Sequence, residues 1–131
     1  MKKVRGYIFS RPFMGERAPQ HVQNIIIRDF CKKNSLHYLL STTEYKMKNS
    51  FLMLKNLISD MKNIDGIVAY SLFQLPENYE YRTEVLKKII KKKKFIFFAV
   101  EQMKISNFQD IVRINKIWGI KTVIPSCPKQ I

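Results

Sequence analysis

The chain has 131 residues, 46% hydrophobic and 12% aromatic, with 24 basic against 10 acidic side chains for a formal net charge of +14. That length suits one domain around a single core and is too short for two. No apolar run approaches the ~20 residues of a membrane-spanning helix, and the one behind Lys2, Lys3 and Arg5 is too short for a signal peptide, so a soluble, cytoplasmic protein is expected.

Val4 to Phe9 reads as the first strand, followed by a polar loop and a helix from about Pro19 to Lys33. Proline suits a first helical turn because its φ is preset and its missing N–H is not needed there. Val22, Ile25, Ile26 and Phe30 make that helix's apolar stripe. Leu36 to Leu40 is the second strand, and Asn49 or Ser50 can cap a second helix whose apolar face is Leu54, Leu57, Ile58 and Met61. Ile64 to Tyr70 is the third strand, Pro76-Glu77-Asn78 a capping turn, and Tyr81, Val85, Leu86, Ile89 and Ile90 the buried side of helix three. Phe95 to Val100 is a continuous apolar run, as expected of a parallel strand buried on both faces. A short helix from about Asn107 to Trp118 and an extended Ile120 to Ile124 complete the chain, covering a sheet edge or packing on a partner.

Strands alternating with helices imply a three-layer α/β domain with a mostly parallel sheet of four to five strands, in the order 2-1-3-4. Ligands bind such sheets at the carboxyl ends of the strands where the order reverses. Ser10, Arg11 and Ser71 are therefore expected to meet above strands one and three, with Glu44 and Glu101 at the rim. The first crossover adds Arg17, Gln20, Gln23 and Asn24 as donors and acceptors for an anionic, hydroxyl-rich ligand. Should the site be catalytic, Glu44 or Glu101 is the candidate base, and Tyr45 or His21 the candidate acid.

Cys31 and Cys127 make neither metal spacing nor a disulfide framework, and Gly15 alone is no phosphate loop. No metal and no nucleotide cofactor are expected. Lys87, Lys88 and Lys91 to Lys94 end helix three, where cations complement the helix dipole; they read as a solvated face rather than a nucleic-acid patch, because no aromatics interleave them.

The span from Gly6 to about Ile105 resembles the catalytic domain of serine recombinases, through Gly6-Tyr7 in the first strand, a glutamine-bearing first helix and an apolar third strand leading to a polar turn. That family uses a serine after its first strand as nucleophile and a cluster of arginines to activate DNA phosphate. Here Ser10 is one residue out of register, Ile8 or Phe9 stands where the strand arginine is expected, and Leu72-Phe73-Gln74-Leu75-Pro76-Glu77 holds no arginine. The resemblance implies a resolvase-like, flavodoxin-like fold without the recombinase reaction.

A second resemblance is to sporadic carbohydrate cluster proteins of bacterial surface-polysaccharide gene clusters. It rests on Gly6-Tyr7-Ile8, Ser10-Arg11-Pro12, Arg17, Pro19 to Asn24, Arg28-Asp29, Tyr38 to Ser41, Thr43-Glu44-Tyr45, Asp65 to Val68, Tyr70 to Phe73, Leu75-Pro76-Glu77 and Ala99 to Glu101. It implies a role in glycan synthesis, which the residues above translate into binding an anionic or nucleotide-activated sugar and proton-transfer chemistry of isomerase, epimerase or lyase type. A homodimer or a sugar-pathway enzyme is the expected partner. The alternative is a non-catalytic recombinase-like module that binds nucleic acid or an acidic protein.

Overall fold

A computed structural model describes residues 1–13, 18–47 and 50–123, with the backbone alone for 121–123. Its elements are β1 (Lys2–Ile8), α1 (Gln20–Lys33), β2 (Leu36–Thr43), α2 (Leu52–Ser59), β3 (Gly66–Ala69), α3 (Tyr79–Lys91), β4 (Phe95–Phe98), β5 (Met103–Ile105) and α4 (Phe108–Val123), with a 3-10 turn at Leu72–Gln74. They form one five-stranded sheet in the order β2-β1-β3-β4-β5.

The first four strands are parallel and start within two residues of one another: Lys2 lies opposite Leu36, Val4 opposite Gly66, and Gly66 opposite Phe95. β5 departs from that pattern. A tight turn with Gln102 in the left-handed region (φ 55°) sends it back antiparallel to β4, so the sheet is mixed. An antiparallel neighbour needs only a short turn, and three residues are too few to show a strand period in sequence.

Alternation in the strands sorts the core into two layers. Val4, Ile8, Val68 and Phe95 face α1, where they meet Ile27, Phe30 and Cys31. Tyr7, Ile67, Ala69, Ile96 and Phe98 face the other way, onto Leu54 and Leu57 of α2, Leu86 and Ile89 of α3, and Ile114 and Trp118 of α4. One helix thus covers one face and three cover the other. Gly66 is required where β3 meets β4, because a Cβ there would stand 2.7 Å from the Phe95 carbonyl oxygen and inside its ring.

The C-terminal segment corrects the sequence expectation. Residues 120–123 continue α4 as helix instead of extending as a strand, and Ile124 lies outside the described residues. Asn107 and Asp110 supply the start signal: Asp110 N–H donates to Asn107 Oδ1 (3.0 Å), and Asp110 Oδ2 accepts from Ser106 N–H (3.0 Å), reciprocal capping that satisfies donors at a helix start. Trp118 Nε1 then donates to Leu72 O (3.2 Å) and pins the helix across the sheet.

Candidate functional site

At the carboxyl end of β1 the chain turns through Phe9, Ser10 and Arg11 into a largely aromatic cluster. Phe13 is 6% exposed and packs edge-on against both Phe9 and Tyr70, while Phe9 also touches Tyr7 and Phe51. The mouth between β1 and β3, where an anion was expected, is filled by rings.

Beneath them lies a buried amide pair. Gln23, fully buried, donates through Nε2 to Phe9 O (2.9 Å) and Ala18 O (2.8 Å), and its Oε1 accepts from Phe9 N–H (3.0 Å). Those backbone bonds fix which way the amide faces, so Gln74 must turn its Nε2 toward Gln23 Oε1 (2.8 Å). Gln74 Oε1 is buried without a partner. Gln23 was expected at a ligand; it instead replaces a strand neighbour for Phe9. Gln74 was missed, although a lone amide inside Leu72-Phe73-Gln74-Leu75 was its signal.

Glu44, 1% exposed at the end of β2, accepts from Tyr7 Oη (2.9 Å) and Leu54 N–H (3.1 Å) at Oε1, and from Tyr45 N–H, Met53 N–H (both 3.1 Å) and Ser50 Oγ (3.2 Å) at Oε2. Two of those donors belong to the first turn of α2, whose N-cap, Phe51, has no capping side chain. Glu44 therefore caps α2 from a distance, and its lone pairs are occupied. This corrects the general-base expectation, because a base needs an oxygen free to reach a substrate proton. Burial, then the Glu44 charge, pushes the Tyr7 phenol well above its usual range. Ser50, not Phe51, had been expected to cap α2; it donates to the same carboxylate, and Asn49 lies outside the described residues.

Ser10 and Arg11 serve that loop as well. Ser10 Oγ donates to Glu44 O (3.1 Å), and Arg11 donates through Nη1 to Tyr45 O (2.7 Å) and through Nη2 to Ser50 O (2.9 Å). The Arg11 guanidinium lies over Phe9, 4.2 Å from the ring centroid. Ser71 turns the other way: its Oγ donates to Glu101 Oε2 (2.8 Å) and accepts from Phe73 N–H (3.1 Å), while Glu101 Oε1 accepts from Leu72 N–H (3.0 Å). Ser10 and Ser71, expected to meet, are thus hydrogen-bonded to different partners, one in the loop after β2 and one in the turn after β4.

The remaining candidates are dispersed. Asn24 Oδ1 accepts from Ser41 Oγ (2.6 Å) and faces β2, Arg28 stacks over Tyr38 (5.4 Å), and His21 and Tyr45 are exposed. Arg17 lies outside the described residues. Gln20, Ser10, Arg11 and Lys46 line an open cleft of about 510 Å³ beside Pro12, Ala18 and Pro19. Among the described residues no group of three His, Cys, Asp or Glu side chains could hold a metal, and no helix is long and apolar enough to cross a membrane.

Charge gathers at the opposite end of the sheet. Lys2 and Lys3 open β1, Lys32 and Lys33 close α1 before β2, Lys62 precedes β3, and Lys91 to Lys94 close α3 before β4; Lys94 is half-buried and the others are exposed. Arg82 behaves differently. It is 4% exposed, donates to Asn115 Oδ1 (2.8 Å), Pro76 O (3.1 Å) and Glu77 O (3.0 Å), and lies over Trp118 (4.7 Å), joining α3 to α4; burial lowers its pKa.

This architecture is the resolvase-like α/β fold. The structure superposes on the N-terminal catalytic domain of TP901-1 integrase with a TM-score of 0.65 at 15% identity, covering 95% of this chain and 98% of that one. A resolvase family site-specific recombinase from Streptococcus pneumoniae gives a TM-score of 0.65 at 10% identity, covering 91% and 88%. No protein-family profile and no curated protein sequence matches the chain. The fold expectation drawn from the recombinases is supported; the carbohydrate-cluster likeness rests on its sequence words alone.

Proposed function

We propose that this chain is a non-catalytic binding module of recombinase-like fold that engages nucleic acid. The observation that carries the reading is the contrast between the two ends of the sheet. At the carboxyl end Ser10, Arg11, Gln23, Glu44, Ser71 and Glu101 are engaged with the protein's own backbone and side chains, whereas at the other end most of the lysines stand in solvent, Lys92, which donates to Ile58 O and Ser59 O, and Lys33, paired with Asp29, apart. Phosphoryl transfer needs cations aimed at the reacting phosphate, and the turn after β3 carries none. The structural neighbours are an integrase and a site-specific recombinase by name, which favours DNA over other acidic partners. The test is fluorescence anisotropy with a labelled DNA duplex in low salt, followed by a nicking assay with supercoiled plasmid. Binding without strand scission is expected; scission, or no binding, would refute the reading.

The cleft beside Arg11 and Lys46 favours a second reading, an anionic or nucleotide-activated sugar in a glycan pathway. It predicts that a nucleotide sugar raises the melting temperature and that Lys46→Ala abolishes the rise.

A further inference from the structure

We infer that nucleic acid is held by the amino-terminal end of the sheet, the end remote from the expected ligand mouth, through its phosphates and without regard to base sequence; this rests on the nucleic-acid reading above. The parallel strands start within two residues of one another, so the first residues of β1 and the segments that lead into β2, β3 and β4 come out at one end of the sheet. Four strands at ~4.8 Å spacing make it on the order of 15 Å across before the flanking helices are added.

Helix dipoles alone do not account for the lysines there. The carboxyl ends of α1, α2 and α3 present about −0.5 charge each, and Asp29, Asp60 and Asp65 add three carboxylates, against nine lysines. An excess of roughly +4 to +5 remains on these figures. Two of the carboxylates are also engaged: Asp65 Oδ2 accepts from Lys3 N–H (2.8 Å), and Asp29 pairs with Lys33 (3.0 Å).

Lys93 supplies a second, independent observation. It sits just past α3 at φ 60°, with its N–H donating to Ile90 O (2.9 Å) and that of Lys94 to Ile89 O (3.2 Å). This is the helix-ending geometry in which glycine is preferred, because a Cβ is disfavoured in the left-handed region. A lysine there retains charge at some expense of stability. An acidic protein partner is less suited to this surface: protein interfaces are built around an apolar centre and are depleted in lysine, and none of the exposed large hydrophobics except Met1 precedes a strand start here.

The experiment is anisotropy of the full chain with a fluorescein-labelled 20-base-pair duplex of random sequence, titrated from 50 to 200 mM salt. With four to five phosphates neutralised, affinity should fall roughly 150- to 500-fold across that range. Lys3→Gln, Lys62→Gln and Lys93→Gly combined should flatten the logarithmic salt slope by about 2.7, while Lys46→Gln at the mouth leaves it unchanged. Lys93→Gly alone should weaken binding yet raise the melting temperature, which separates lost charge from lost structure. Unchanged binding by the triple variant with loss in Lys46→Gln would overturn the location and leave the nucleic-acid reading standing. No binding by wild type at 50 mM salt would end both. Tighter binding of a polyglutamate probe than of DNA would overturn the choice of nucleic acid.

Discussion

Replacing Glu44 by alanine tests the finding that this carboxylate holds the fold together. The substitution strips α2 of the carboxylate that caps it and orphans the Met53 and Leu54 N–H groups, the Tyr45 N–H and the Tyr7 hydroxyl. Ser50 is half-buried and can turn to water. Losing a helix cap costs ~1 kcal/mol, and each buried donor left unsatisfied costs ~1–3 kcal/mol. Because Leu54 N–H and the Tyr7 hydroxyl are the most enclosed, the total comes to ~4 kcal/mol by the same figures. Against a typical stability of ~5–15 kcal/mol this is a large fraction, equivalent to a melting temperature lower by ~10–15 °C at this chain length. Urea unfolding followed by circular dichroism should show the midpoint falling by ~2 M with an unchanged slope. Glu44→Gln should also destabilise, since its amide nitrogen would face donors where an acceptor is required. Stability within ~1 kcal/mol of wild type for Glu44→Ala would refute the reasoning.

Three further outcomes are expected. Arg82→Met keeps the apolar stem but orphans the Pro76 and Glu77 carbonyls and Asn115, and calorimetry should show a loss of ~2–4 kcal/mol. Gly66→Ala drives a methyl against the Phe95 carbonyl and should cost ~1–3 kcal/mol, read as a shifted denaturation midpoint. Burial raises the Cys31 thiol from 9.0 to about 11. Between those values the unfolded chain has released a proton that the native state still holds, so stability is full below pH 9 and falls as pH rises toward 11. Cys31→Ala should make denaturation midpoints less sensitive to pH across that window, and Tyr7→Phe should remove a further loss at higher pH.

The amphipathic stripes of α2 and α3 and the Phe95–Phe98 run could be read directly, because each records local periodicity against one face of a sheet. The stripe expected for α1 was not: its buried side is Gln23, Ile27, Phe30 and Cys31, while Ile25 is exposed, because several apolar residues in a row leave the helix face undetermined until it packs. The cap at Asn78, whose Oδ1 accepts from Tyr81 N–H (2.8 Å), was equally local. β5 and the last turn of α4 were not, since a three-residue strand carries no period and an unmatched apolar tail suits strand or helix alike.

For the candidate site the sequence identified polar residues at the strand ends but not their employment. Ser10, Arg11, Glu44 and Ser71 do stand there, yet each is bound to a partner about 30 or more positions away. Residue order thus determined which elements form and how they alternate, because those choices depend on neighbours three or four positions apart. Tertiary packing alone decided that the carboxylates and guanidinium at the mouth are spent on backbone groups while lysines from four separate segments gather at the other end. Hydrogen-bond partners and summed charge are set by distance in space.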